Sequence, residues 1–232
     1  MTNNLLRIKI QQRLNKLGSF DYDNIECWQI SEAFNKAQIE WFRRQVRGLN
    51  TLKESTEESY ALIDDLQRFV KTRKIQGTNK DKFFETTVVP KDYLYYVRIS
   101  AAGDSDCCKD RDLTVYLAEE GNADIIYYNE FKGPSFEWGE TFATMQGDKF
   151  RIYRTDDFKI QDVTLTYYRK PVDISFDNCV DPATGDLRGD VETEFKDDIA
   201  ELILDEAVAI LAGDIESMLQ YQRATQNAQK SN

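Results

Sequence analysis

The stretch Asp190–Gln226 near the end of the chain, DVETEFKDDIAELILDEAVAILAGDIESMLQYQRATQ, decides the architecture that we expect. Apolar residues recur there at spacings of three and four, which predicts one helix with a single apolar stripe. The stripe consists of Phe195, Ile199, Leu202, Ile203, Ala207, Ile210, Leu211, Met218 and Tyr221. At 1.5 Å per residue this helix is roughly 50 Å long, beyond the roughly 30 Å span of a small domain. We therefore expect a partner chain to cover part of the stripe, which favours an assembly component over an enzyme.

The N-terminal third predicts a small bundle of three helices. The first helix carries Leu6, Ile10, Leu14 and Leu17 on one face, and Gly18 supplies its stop. A capping box at Asp23–Glu26 precedes the second helix. The apolar face of the second helix consists of Cys27, Ile30, Phe34, Ala37 and Trp41. A third helix is expected from Thr56 to Lys74.

The middle of the chain is rich in aromatic and β-branched residues, which favour strands. We predict strands at Phe83–Val89, Tyr93–Ser100, Leu113–Ala118, Ile125–Asn129, Lys149–Arg154 and Gln161–Arg169. The strict alternation in the last of them indicates one buried and one solvated face. The pattern does not distinguish a sandwich from a barrel.

The expected fold class is therefore α+β, in three parts. Residues 1–82 form an N-terminal helical bundle, and residues 83–175 form an inserted antiparallel β domain. Residues 176–232 comprise a loop, the long C-terminal helix and a flexible tail.

Charge is distributed unevenly along the 232 residues. The net charge is +4 over residues 1–82, −6 over residues 83–175 and −9 over residues 176–232. The acidic C-terminal part argues against affinity for nucleic acid, which normally requires clustered lysine and arginine. A basic and an acidic end can instead meet head to tail between identical subunits. No apolar run is long enough for a membrane span or a signal peptide, so we expect the chain to remain in the cytosol.

The sequence offers little for metal or thiol chemistry. The four cysteines, Cys27, Cys107, Cys108 and Cys179, lack a metal-type spacing, and the chain contains no histidine, so reduced thiols are expected. The carboxylates at Gly103–Asp112 match the helix–loop–helix calcium pattern poorly and predict a solvated hairpin loop. Asp181–Asp186 predicts a turn. No metal and no cofactor is expected.

Enzymatic motifs are also absent from the sequence. The neighbouring carboxylates Glu119–Glu120 and Asp156–Asp157 should diverge, whereas acid–base catalysis needs converging groups. The chain has no nucleophile elbow, phosphate loop or dinucleotide fingerprint. We therefore expect a protein that is not an enzyme.

Three tyrosine pairs in the middle of the chain offer possible binding surfaces. Tyr95–Tyr96, Tyr127–Tyr128 and Tyr167–Tyr168 could stack on sugars or single-stranded bases. Adjacent residues on a strand point to opposite faces, so one ring of each pair is expected in the core and the other at the surface or an interface.

Several segments at both ends of the chain resemble structural proteins of crAss-like bacteriophages. The N-terminal resemblance runs from Arg7–Leu14 through ECWQI at Glu26–Ile30 to FNKAQIEW at Phe34–Trp41 and on to Arg44. The others are LTYYRKP at Leu165–Pro171, ELILDEAV at Glu201–Val208 and GDIE at Gly213–Glu216. More broadly, the chain is similar to head-to-tail connectors of tailed phages, which dock beneath the portal. The β domain departs from simpler, all-helical adaptors.

The resemblance implies a virion protein that forms a homo-oligomeric, dodecameric ring at the portal vertex. Its partners would be the portal protein and other neck or tail rings, and it would be assembled in the host cytoplasm without a membrane. DNA would pass through the lumen without specific binding, because an acidic lining repels phosphates. A heterologous ring also fits the opposed charges of the two ends.

The residues expected at the interface with the portal or a neighbouring subunit lie on the C-terminal helix. They are Ile199, Leu202, Ile203, Ile210, Leu211, Met218 and Tyr221. The alternative is a tail-associated binding module, in which the β domain binds carbohydrate or attaches a fibre.

Overall fold

The computed structural model describes residues 1–14, 25–47, 66–214 and 225–226. Most of the predicted third helix lies outside these residues, as do Leu17, Gly18, Asp23, Met218 and Tyr221. The chain forms two compact units. The helical unit is drawn from Met1–Asp65 and Pro171–Asn232, and the β unit comprises Leu66–Lys170. The fold is α+β, as predicted.

The described helices are α1 (Asn3–Leu14), α2 (Cys27–Arg47), α3 (Ala123–Tyr127) and α4 (Asp197–Asp214), with a 3-10 turn at Glu120–Asn122 before α3. In the helical unit, α4 packs against both α1 and α2. The predicted faces of α1 and α2 are correct, because Leu6, Ile10, Leu14, Ile30, Phe34, Ala37 and Trp41 are all buried. The N-terminus of α2 is capped by Gln29, whose side-chain oxygen accepts from the Glu26 N–H at 3.0 Å.

Helix α4 begins at Asp197 and not at Asp190 as predicted. The reason is that Val191 pairs with Ser175 through two backbone hydrogen bonds of 2.9 and 3.2 Å. The Asn3 amide nitrogen also donates to the Ser175 and Val191 carbonyls, both at 3.0 Å. These contacts hold residues 190–196 in an extended course, which side-chain periodicity alone does not reveal.

A disulfide joins Cys27, at the start of α2, to Cys179. Cys179 lies in strand β9 (Cys179–Val180), which forms a hairpin with β10 (Leu187–Arg188). The expectation that all four cysteines are reduced is therefore wrong for this pair. The two residues are 152 positions apart, and sequence spacing gives no indication of a pairing at that separation.

The β unit contains eight strands in one curled sheet. They are β1 (Val70–Ile75), β2 (Gly77–Asn79), β3 (Phe83–Thr86), β4 (Tyr93–Asp104), β5 (Arg111–Leu117), β6 (Glu140–Gln146), β7 (Lys149–Tyr153) and β8 (Lys159–Arg169). Their order across the sheet is β1-β8-β4-β5-β6-β7-β3-β2. This single curled sheet is not the two-sheet sandwich that the sequence also allowed.

The two end strands of the sheet, β1 and β2, are consecutive in the chain and separated only by Gln76. One extended segment therefore pairs with β8 through its first half and with β3 through its second half. At the change of partner the backbone passes very close to β3. A Cβ atom on Gly77 would lie 2.3 Å from the Glu85 carbonyl oxygen, so only glycine fits there.

The inner face of the curled sheet holds the core of the β unit. Alternate residues of the strands point inward, as the pleat requires. The largest fully buried side chains there are Leu113, Phe150, Phe158 and Tyr167. Burial at this density gives the surface loops of the β unit a rigid support.

Several sequence predictions for this unit are wrong. Val70–Ile75 is strand β1, so the predicted third helix does not reach Lys74. The strand predicted at Ile125–Asn129 is instead helix α3 and the turn after it. The sheet is not purely antiparallel, because β5 and β6 pair in parallel and the segment containing α3 connects them. Strand β6 was not predicted at all.

Candidate interaction surfaces

The predicted docking stripe of the C-terminal helix lies largely inside the helical unit. Ile199, Ile203 and Leu211 are buried, whereas Leu202 and Ile210 are only partly buried. Because α1 and α2 cover this face, the premise that the chain cannot cover its own stripe is wrong for the described part of the helix. Met218 and Tyr221 lie outside the described residues. Of the described residues predicted to dock, Leu202 and Ile210 are therefore the two that α4 leaves partly accessible.

Ion pairs fasten the polar side of α4 to α1. Glu201 accepts from Lys9 and, at 2.6 Å, from Arg13, which also pairs with Asp205. Burial raises the pKa of the Glu201 carboxyl, but these cations outweigh burial and hold the pKa below the ordinary glutamate value. Arg44 of α2 reaches Glu206 of α4 at 2.5 Å. The acidic residues of α4 are thus partly neutralised by the basic N-terminal helices.

A groove remains open between the first half of α2 and the end of α4. Its volume is about 420 Å³. It is lined by Ile25, Trp28, Gln29, Glu32, Ala33, Lys36, Ile210 and Leu211. In this groove the partly open Ile210 of the predicted stripe lines a concave surface.

The most exposed apolar side chains of the described chain lie between β5 and β6. Phe131 is 91% exposed, Trp138 78%, Ile125 72% and Tyr128 71%. We call residues 123–139 the aromatic loop. Contiguous exposed apolar side chains are typical of a binding surface, because a soluble chain seldom leaves large aromatic rings in water.

The aromatic loop is ordered by its own hydrogen bonds. The Asn129 side-chain oxygen accepts from the backbone N–H of Phe131 at 2.9 Å and from that of Lys132 at 3.1 Å. A Cβ atom on Gly133 would lie 2.7 Å from the Asn129 carbonyl, so the turn closes tightly on the end of α3. The Tyr116 hydroxyl of β5 donates to the Lys132 carbonyl. Phe131 is therefore presented to solvent by a fixed turn.

Acidic residues predominate in the sequence of the aromatic loop and its flanks, although Lys82 and Arg111 from outside this segment also contact it. Residues 119–140 contain six carboxylates and one cation, Lys132. The carboxylates are Glu119, Glu120, Asp124, Glu130, Glu137 and Glu140. Glu130, directly before Phe131, has no salt-bridge partner among the described residues. An exposed apolar side chain next to an unpaired carboxylate favours a partner surface that carries basic groups.

Of the three tyrosine pairs, only Tyr167–Tyr168 divides between core and surface as predicted for adjacent strand residues, because Tyr95 and Tyr96 are both partly buried and Tyr127–Tyr128 lies at the end of α3. Tyr167 is fully buried whereas its neighbour Tyr168 is only partly buried. Tyr127 is half-buried, and its ring meets the ring of Tyr128 edge-on at 5.1 Å. The Lys82 ammonium lies 5.4 Å from both ring centroids of this second pair. Its hydrogen bond to the Tyr128 hydroxyl at 3.1 Å raises the pKa of Lys82.

The two carboxylate-rich segments are turns. Gly103–Asp112 forms the hairpin between β4 and β5, and Asp104 accepts from the Asp110 N–H at 2.8 Å. In the second segment, Asp181 binds Arg188 across the β9–β10 hairpin. Among the described residues, no three histidine, cysteine, aspartate or glutamate side chains are grouped to hold a metal ion. Cys107 and Cys108 are exposed free thiols at the tip of the first hairpin.

No protein-family model and no curated protein matches the chain. None of the described helices is long and apolar enough to span a membrane.

Sequence reasoning missed the aromatic loop as a surface, because it placed a half-buried strand at residues 125–129. Two features of the sequence do indicate the turn. Asn129 and Gly133–Pro134 are turn residues on either side of Phe131. The direct neighbours of Phe131, Glu130 and Lys132, are both charged.

Proposed function

We propose that the chain is a structural protein of the virion that forms a ring at the portal vertex, joining the capsid portal to the tail and leaving a passage for DNA. The resemblance at both ends of the chain motivates this proposal. The observation that carries it is the combination of a rigid β unit with an ordered, fully exposed aromatic turn at Phe131. Such a surface suits a protein that works by contact with other chains.

The charge of the chain supports the same proposal. The net charge is −11, and the acidic residues extend over the loop around Phe131 as well as over α4. A ring with an acidic inner surface would let DNA pass without binding its phosphates. The helical unit offers a second contact, the groove beside Ile210, which fits one apolar segment of a portal or a neighbouring ring.

Co-sedimentation with assembled portal rings tests the proposal. The full-length chain is mixed with the portal protein of the same phage and separated on a density gradient. We expect the chain to migrate with the portal at a fixed ratio, independent of excess chain. A chain that stays at the top of the gradient at every ratio contradicts the proposal.

A tail-associated binding module is the second candidate, and one observation favours it. Tyr128 is 71% exposed and stands edge-on to Tyr127 beside Lys82, an arrangement that can stack on a sugar ring. Glycan binding that is lost in Tyr128→Ala and retained in Tyr116→Phe would support this alternative. Absence of glycan binding by the intact chain removes it.

A further inference from the structure

We infer that the aromatic loop of one copy docks into a basic depression on the β unit of a second copy. The inference rests on the ring function proposed above and identifies the contact between neighbouring subunits.

The depression lies where β1 passes into β2. Its volume is about 310 Å³, and it is lined by Arg73, Lys74, Ile75, Gln76, Thr87, Val88 and Pro90. Val88 is 59% exposed, which leaves an apolar wall open to water. Two cationic side chains, Arg73 and Lys74, therefore stand beside the exposed Val88 in a hollow whose lining is mostly polar.

The aromatic loop complements this hollow in shape and polarity. Phe131 projects from a turn with 91% of its surface exposed, and Trp138 stands 78% exposed on the same loop. Burial of one such ring removes a large apolar area from water and dominates the energy of a small interface. The depression offers the exposed Val88 and the partly exposed Pro90 to that ring.

Charge selects a second copy as the occupant. Glu130 precedes Phe131 and lacks a salt-bridge partner among the described residues, and so does Arg73 at the edge of the depression. Lys74 pairs only with Asp162, at 3.3 Å and largely exposed to solvent. Insertion of Phe131 would bring the Glu130 carboxylate close to Arg73. The contact would thus form a salt bridge between two groups that have none among the described residues of the single chain.

The strand order allows the same contact to repeat from one copy to the next. The aromatic loop connects β5 and β6, the two middle strands of the sheet order, whereas the depression lies at β1 and β2, the two ends. The loop and the depression are therefore formed by different strands. A copy that uses its loop on one neighbour thus keeps its depression free for another, which is the heterologous contact that builds rings.

Cysteine cross-linking tests the contact directly. In the full chain carrying Cys107→Ser and Cys108→Ser, Lys132→Cys is placed beside Phe131 and Thr87→Cys beside Val88, and a short bismaleimide is added. The chain with both new cysteines should give a ladder of species that extends beyond dimers, whereas either single variant should stay monomeric on a denaturing gel. Dimers from Lys132→Cys alone would mean that loop meets loop, and no ladder from the paired variant would mean that this contact does not form; either result overturns the inference.

Charge reversal supplies an independent measurement. We expect Arg73→Glu and Glu130→Arg each to weaken self-association by about fivefold, as for an exposed ion pair, and the two together in one chain to restore it. Both side chains are exposed, so the melting temperature should not change. If the combined variant associates no better than the single ones, the pairing is wrong. If the wild-type chain forms rings but the paired cysteine variant gives no ladder, the proposed function stands and only this contact is lost.

Discussion

The side-chain amide of Asn79 pairs with both backbone groups of Ile160. The Asn79 nitrogen donates to the Ile160 carbonyl at 2.7 Å, and the Asn79 oxygen accepts from the Ile160 N–H at 3.1 Å. A strand neighbour would make the same two hydrogen bonds. Asn79 is the last residue of β2, at one end of the sheet order, and Ile160 is the second residue of β8, which is next to β1 at the other end. One side chain therefore joins strands that are far apart in the sheet order.

Loss of this pairing should destabilise the β unit. We expect Asn79→Ala to lower the free energy of unfolding by about 1–2 kcal/mol, because two hydrogen bonds disappear and the Ile160 backbone groups lose their partner. Urea unfolding measures the change. Asn79→Asp keeps the acceptor but not the donor and should fall between wild type and Asn79→Ala. Equal stability of all three proteins would contradict a closing role for Asn79.

The disulfide between Cys27 and Cys179 should stabilise the helical unit, because it closes a long segment of the chain and so restricts the unfolded state. Cys27→Ser with Cys179→Ser is expected to lower the free energy of unfolding by roughly 2–5 kcal/mol. Reduction of the wild-type protein should give the same change in a urea titration. Cys107→Ser with Cys108→Ser is the matched control, because these thiols are exposed and free. No response to reduction would show that the pair is not bonded in solution.

Tyr167 should resist ionisation until strongly alkaline pH. Burial, together with its hydrogen bond to Asp92 at 2.9 Å, raises the pKa of Tyr167 from 10.0 to about 12. A raised folded pKa means that the stabilisation is complete below pH 10.0 and is lost as the pH rises toward 12. Tyr167→Phe should flatten this alkaline loss, which unfolding measured at several pH values would reveal. A wild-type stability that is unchanged across that range contradicts the assignment.

Glu201 should make the helical unit sensitive to acid. Its folded pKa lies below the ordinary value of 4.5, so its stabilisation is present above that pH and is lost as the pH falls through the folded pKa. Glu201→Gln should be less stable near neutral pH and lose less stability on acidification. Glu192→Gln is the control, since Glu192 is exposed and has no salt bridge among the described residues. Identical acid profiles for Glu201→Gln and wild type would count against the ion pairs.

Leu202 tests the part of α4 that remains open. It is only partly buried, so we expect Leu202→Asp to prevent incorporation into the ring while the β unit stays folded. Asp198→Asn, on an exposed position of the same helix, should incorporate normally. Gradient co-sedimentation with the portal and the circular dichroism of both variants measure this difference. Normal incorporation of Leu202→Asp would remove α4 from the docking contact.

Periodicity predicted the elements whose burial is one-sided. Helices α1 and α2 followed from their apolar spacing, β8 from its alternation, and β4 and β7 from their aromatic and β-branched residues. Strand β1 carries four consecutive exposed residues in VKTRKI, so it shows no alternation to recognise. Strand β6 buries Thr141 and Thr144, polar residues that do not indicate a core strand.

Contacts between distant parts of the chain could not be predicted. The cover of the α4 stripe comes from α1 and α2, far away in the sequence, and so does the partner of Cys27. The aromatic loop shows the same limit, because composition does not reveal whether Phe131 is exposed or buried. Only the turn at Asn129, fixed by local hydrogen bonds, determines which way that ring points.

The mass of the purified full-length chain by multi-angle light scattering, alone and mixed with the portal protein, tests the central proposal most directly. The account predicts a closed assembly of about a dozen subunits, formed by the free chain or on the portal. A chain that remains a monomer under both conditions contradicts it.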